Sequence, residues 1–218
     1  MARTNEIDER PIMLWCHPRS VSTAFERAFM QRSDEFECLH EPFGDAYYFG
    51  PNRASTRYTN ANLPKDVKLT SSTFESVFDE ILKSRSGKRV FAKDMAYYIF
   101  PHLKERNLPL DKMVNTFLIR DPHKAVPSFY KLSINESTGW GYFDPNEMGY
   151  KQLKDLFDFV VEKLKQPPIL IDSEDLVKNP KEVMKKYCQL VNVNFDERMI
   201  SWNSTKISKF DKWNGWHE

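Results

Sequence analysis

Five short apolar runs punctuate the chain, and between them apolar residues recur at helical spacing. The runs are PIMLWCH (11–17), FECLHEPF (36–43), RVFAKDM (89–95), MVNTFLIRD (113–121) and PILIDSEDL (168–176). Steps of three and four residues occupy 21–32, 73–84, the stretch through Ala125 and Phe129, 147–164 and 180–191. Strands that alternate with helices pair in parallel, because a crossover helix returns each strand in the same direction. The alternation therefore predicts an α/β fold, a parallel sheet of about five strands flanked by helices. Ligands of such sheets bind beyond the carboxyl ends of the strands. That rule directs attention to whatever follows each apolar run.

A chain of 218 residues, 40% hydrophobic, is enough for one domain with a substantial core. We read 1–218 as a single domain, with a charged tail over 1–10 and a long loop over 44–70. A net charge of +1 argues against recognition of nucleic acid by bulk charge. Cys16, Cys38 and Cys188 are sparse and irregular, which argues against a disulfide framework or a zinc site, and no metal is expected. The apolar runs are strand-length, short of the ~20 residues a membrane span needs. The first residues lack an apolar leader, so a cytoplasmic protein without membrane association is expected.

HPRSVST (17–23) joins the first strand to the first helix. Unpaired N–H groups at a helix N-terminus favour an anion. Arg19 adds a fork of donors, and Ser20, Ser22 and Thr23 add hydroxyls. Ser22 with Glu26, or Ser20 with Thr23, would equally serve as an ordinary helix cap. On these residues alone both readings stand. The loop is not a nucleoside-triphosphate loop of the G-x-x-x-x-G-K-[ST] kind, because Val21 takes the last glycine's place and Ser22 the lysine's. The usual contact to the β- and γ-phosphates is thereby lost.

The fourth run leads into IRDPHKAVPS, with Arg120 at its carboxyl end and Ser128 eight residues further on. Pro122 is explained as the first residue of a helix, but that leaves the Arg–Ser spacing unexplained. Here the chain resembles the sulfotransferases that depend on 3'-phosphoadenosine 5'-phosphosulfate (PAPS), whose fold is of the P-loop nucleotide-binding type. Their first loop, P-[KR]-S-G-T-[TS], is matched by Pro18, Arg19, Ser20, Val21, Ser22 and Thr23. Their R-[DN]-P motif with its distant serine is matched by Arg120 and Ser128. Residues 170–202 resemble the family's strand–helix segment that follows. The resemblance implies that the first loop holds the 5'-phosphosulfate and that Arg120 and Ser128 hold the 3'-phosphate. Val21 departs from the family glycine, and its backbone is expected to avoid positive φ. The family's C-terminal glycine-rich segment has no clear match, and KFDKWNGWHE (209–218) stands in its place.

Sulfuryl transfer needs a base for the acceptor hydroxyl and a cation for the leaving oxygen. The resemblance gives the cation's role to Arg19 and favours Glu41, after the second strand, as base. Asp94, ending the third run beside Lys93, competes for that role; His102, His40 and His17 are weaker candidates. In the loop after Glu41, Tyr47, Tyr48, Phe49 and Tyr58 are expected to wall an apolar acceptor pocket. Arg53 and Arg57 are candidates for an acceptor carboxylate. The implied activity is transfer to a hydroxyl or amine of a small-molecule acceptor, with 3',5'-ADP as product. The alternatives are a P-loop kinase or NTPase and a non-catalytic nucleotide-binding protein.

Overall fold

The computed structural model describes residues 8–58, 69–103, 107–138, 140–202 and 210. Five parallel strands form one sheet: β1 (Ile12–Cys16), β2 (Phe36–His40), β3 (Arg89–Met95), β4 (Val114–Ile119) and β5 (Leu170–Asp172). Their order is β2-β3-β1-β4-β5. β1 lies at the centre, where Trp15 is in register with Asp94 on one side and Phe117 on the other. All five of its residues are buried, as a strand covered on both faces requires.

The helices are α1 (Ser22–Met30), α2 (Pro42–Phe49), α3 (Phe74–Leu82), α4 (Ala96–Leu103), α5 (Pro122–Ser133), α6 (Tyr150–Glu162), α7 (Ser173–Lys178) and α8 (Pro180–Leu190). Strand side chains alternate between faces. Phe91 therefore meets Phe29 of α1, ring on ring at 3.9 Å, and Tyr187 of α8 closes on Phe25 edge-to-face at 4.8 Å. Trp15 turns the other way, towards Phe43 of α2, which in turn packs on Phe78 of α3. The same alternation sends Lys93 to the α1 side and Asp94 to the α2 side. No helix among the described residues is long and apolar enough to cross a membrane.

Two expected boundaries shift. The second apolar run does not continue as a strand to 43. Glu41 still donates its N–H to the Lys93 carbonyl (2.9 Å), but its φ of 45° turns the chain, and Pro42 opens α2. Residues 44–49, expected as loop, are therefore helical, while 59–68 of that stretch lie outside the described residues. The fifth run supplies only three strand residues, because the Asp172 carboxylate accepts the Glu174 N–H (2.8 Å) and starts α7.

The strand order reverses about β1. The β1–α1 connection leads towards β2 and β3, whereas β4 and β5 lie on the other side. Diverging loops at such a switch point open a crevice at the carboxyl ends of the strands. Both anion motifs of the sequence emerge there, one after β1 and one after β4.

Candidate active site

The loop after β1 is wound tightly. Arg19 has φ 62° and Val21 φ 69°, both left-handed. The expectation for Val21 is thus overturned: a β-branched residue occupies the backbone geometry that glycine normally supplies. The motif keeps its shape at a local conformational cost. Val21 is the N-cap of α1, and Ser22 is already the first residue of the helix, so neither Ser20 nor Ser22 occupies the cap position. Ser20 Oγ is buried and has no hydrogen-bond partner among the described residues. A buried hydroxyl without a partner at a helix start suits an incoming acceptor oxygen.

The two anion motifs interlock. Arg19 Nε donates to Ser128 Oγ at 2.9 Å, and Arg120 Nη1 donates to the Arg19 carbonyl at 2.9 Å. His17 braces the joint. Its Nδ1 donates to the Pro18 carbonyl (2.8 Å), and its Nε2 accepts the Arg120 N–H (3.0 Å). The ring stacks near Tyr150, whose hydroxyl donates to the Arg120 carbonyl at 2.9 Å. Burial pushes the His17 imidazole down to about 4, so it is a neutral strut rather than a base. Burial, and the guanidinium of Arg120 beside it, also lower the Arg19 pKa. Two cations that disfavour one another's charge form a frame that an anion would stabilise.

Glu41 lies across the crevice. Lys93 Nζ donates to its Oε1 at 2.5 Å and stands 3.8 Å from Glu26 Oε2. Burial works against the Lys93 charge, but Glu41 and Glu26 outweigh it and raise its pKa. His40 Nδ1 lies 2.7 Å from Glu26 Oε2, and its Nε2 3.9 Å from Glu41 Oε1. Asp94 has a different task. Its Oδ2 accepts the Phe43 N–H (2.7 Å) and its Oδ1 the Met95 N–H (2.8 Å), fixing the starts of α2 and α4. Both of its oxygens are thus engaged by backbone N–H groups. His102 packs its ring on Phe74 at 4.1 Å, away from the crevice residues.

The crevice holds a cavity of about 430 Å³. Arg19, Ser22, Thr23 and Arg120 line one part of it; Glu41, Met95, Tyr97, Tyr98, Phe129 and Trp140 line the other. The expected aromatic wall is thus displaced. Tyr48 is fully buried behind it, with its hydroxyl 2.8 Å from that of Tyr97, and Tyr47 packs against Tyr97 and Tyr98 from the same side. Arg57 is spent internally, paired with Glu147 and stacked on Trp140. Arg53 does not line the cavity either. Tyr97 and Tyr98 follow β3 directly, so the carboxyl-end rule would have found them. Trp140 carries no local signal at all. Among the described residues no group of three or more His, Cys, Asp or Glu side chains is arranged to hold a metal ion.

Comparison with known proteins places the chain in a family. The profile described as "Sulfotransferase domain" matches residues 10–217. Among curated proteins, branched-chain-amino-acid aminotransferase-like protein 2 of Arabidopsis thaliana is 25% identical over 94% of this chain. Its companion, protein 1, is 22% identical over 93%. The chain spans about a third (34%) of the length of each. Among solved structures, the sulfotransferase domain of the Synechococcus PCC 7002 olefin synthase superposes with a TM-score of 0.56 at 14% identity, over 98% of this chain and 84% of its own. The sulfotransferase domain from the curacin biosynthetic pathway gives 0.51 at 17%, over 87% and 76%. At these identities the structural likeness concerns the fold.

Proposed function

Because the chain belongs to the sulfotransferase domain family, we propose that it moves a sulfuryl group from PAPS to a hydroxyl of a small, largely apolar acceptor. The observation that carries this reading is the interlock of Arg19, Arg120 and Ser128 into one cationic frame, opposite a buried carboxylate. The loop residues Pro18, Ser20, Val21, Ser22 and Thr23, with Arg19, hold the 5' end of the donor; Arg120 and Ser128 hold its 3'-phosphate. The orphaned Ser20 hydroxyl fits such a donor. When bound, the donor supplies an activated sulfuryl group on a leaving nucleotide.

The chain's residues do the rest. Glu41 takes the acceptor's proton, and Arg19 neutralises charge on the leaving oxygen. Met95, Tyr98, Phe129 and Trp140 orient the acceptor and exclude water. With Arg57 committed to Glu147, the aromatic part of the cavity favours neutral acceptors over carboxylates. Nothing in this scheme calls on a metal.

Calorimetric titration with 3',5'-ADP, against ATP with magnesium, tests the donor. Radiolabelled sulfuryl transfer to a panel of phenols, alicyclic alcohols, sugars and amino alcohols tests the acceptor. We expect 3',5'-ADP to bind more tightly than ATP, and phenols or alicyclic alcohols to accept. A preference for ATP would overturn the donor assignment. Binding of 3',5'-ADP without transfer to any acceptor would make the protein a nucleotide-binding module.

A further inference from the structure

Behind the aromatic part of the cavity, Glu147 and Arg57 form an ion pair in which both residues are buried. Glu147 sits in the short 3₁₀ turn Pro145–Met148 that precedes α6, and Arg57 lies 90 residues away along the chain. Neither lines the cavity. Burial raises the Glu147 pKa, against the pull of Arg57. An ion pair taken out of water is a poor source of stability, because the loss of hydration offsets the attraction. What such a pair fixes is geometry, and here the geometry leads to the cavity walls.

On one side, Arg57 Nε donates to Glu147 Oε1 (2.9 Å) and Arg57 Nη1 donates to the Trp140 carbonyl (2.9 Å). The same guanidinium lies over the Trp140 ring, 4.2 Å from its centroid. On the other side, the Tyr48 hydroxyl donates to Glu147 Oε1 (3.2 Å) and lies 2.8 Å from the Tyr97 hydroxyl. Trp140 and Tyr97 both line the cavity. The turn that carries Glu147 also seats Tyr97 directly. It ends at Gly149, φ 67°, where a Cβ would come within 2.9 Å of Tyr97 Cδ1. Tyr48 lies about two helical turns beyond Glu41, the N-cap of α2, so the network is anchored on the helix that the proposed base begins.

We propose that Glu147 is a positioning residue for the acceptor. Through Arg57 it holds Trp140, and through Tyr48 it holds Tyr97, so that one buried carboxylate fixes the separation of two cavity walls and with it the size of ring the cavity accepts. This rests on the reading of the crevice as an acceptor site. Glu147 touches neither acceptor nor donor and moves no proton; its effect is on the shape of the pocket.

The test compares wild type with Glu147→Gln and Tyr48→Phe, both close in shape to the residues they replace. The affinities of phenol and 2-naphthol are measured by calorimetry on the complex with 3',5'-ADP, and KM and kcat for both are measured with PAPS. Glu147→Gln should raise the phenol Kd and KM about tenfold or more while kcat at saturation is largely kept, the signature of lost acceptor binding. Loosened walls should also shift the preference towards 2-naphthol, by about fivefold or more, with the 3',5'-ADP Kd within about twofold of wild type. Tyr48→Phe, which removes no charge, should shift the preference the same way. A role confined to stability would lower the Tm of both variants and leave the ratio of the two acceptors where it was; that outcome overturns the proposal. If Glu147→Gln fails to fold, an unchanged ratio in Tyr48→Phe overturns it. Wild type that binds neither ring removes the acceptor pocket and this proposal with it. Binding of both rings without transfer from PAPS sinks sulfuryl transfer, and the binding ratio still decides the role of Glu147.

Discussion

Val21 shows how one residue reveals what a loop must do. A left-handed conformation costs a non-glycine residue about 1–2 kcal/mol, and a β-branched side chain tolerates it least. Arg19 and Val21 both turn left, and on the proposed function that turn lets the backbone close around an anion. Val21→Gly should relieve the strain, less the roughly 0.5–1 kcal/mol of extra chain entropy that glycine loses on folding. We expect a net gain of up to about 1 kcal/mol in urea unfolding, and Val21→Pro, locked near φ −65°, should unfold more easily. A clear loss of stability in Val21→Gly would show that the valine side chain contributes more packing than its backbone costs.

His17 offers a second test at the same scale. Its folded pKa, about 4, lies below the ordinary 6.5, so the unfolded chain takes up the proton first. Stability contributed by the neutral ring is complete above about 6.5 and is lost as pH falls towards 4. The full depression corresponds to about 3 kcal/mol. Unfolding midpoints measured from pH 7 to pH 4.5 should therefore fall more steeply in wild type than in His17→Asn, which cannot titrate. Parallel curves would exclude His17 as the cause.

At the scale of elements, Lys93 joins β3 to the β2–α2 corner and to α1 at once. Removing it takes the ammonium from two buried carboxylates, and breaking a buried pair from one side typically costs about 3–5 kcal/mol. Lys93→Met, similar in shape, should lower the unfolding free energy by about that much; a loss under 1 kcal/mol would mean that water reaches the cluster. Lys93 and Asp94 also mark where the sequence was readable. Strand alternation and its parallel consequence were plain in the apolar runs, and so were the two anion motifs, because loop chemistry is local. That Lys93 and Asp94 take opposite faces follows from the pleat, but their partners at Glu41 and Phe43 come only from the fold. The helix at 42–49 was missed because its apolar residues face inward all around and Gly44 reads as loop, so tertiary burial overrides local propensity. Trp140 reaches the cavity from a connection with no periodicity, and only the fold brings it there.

At the scale of the whole molecule, the strand order makes one site from two motifs separated by about a hundred residues. β1 and β4 are neighbours, so the loop after each opens into the same crevice, and Arg19 crosses it to Ser128. A ligand that spans both loops therefore ties the two halves of the sheet together, and its binding energy becomes folding energy. At a ligand concentration a hundred times its Kd, the gain is about 2.7 kcal/mol, or roughly 5–10 °C in Tm for a domain of this size. We expect 3',5'-ADP to give such a shift, and adenosine 5'-phosphosulfate, which lacks the 3'-phosphate, a much smaller one. Ser128→Ala should leave the Tm of the free protein within a few degrees while shrinking the 3',5'-ADP shift. Its response to adenosine 5'-phosphosulfate should stay close to that of wild type. Arg19→Ala, which acts on the 5' side, should weaken both responses. If Ser128→Ala weakens the two ligands equally, the division of the crevice into a 5' and a 3' anion site is wrong, and the loops act as a single undivided cationic surface.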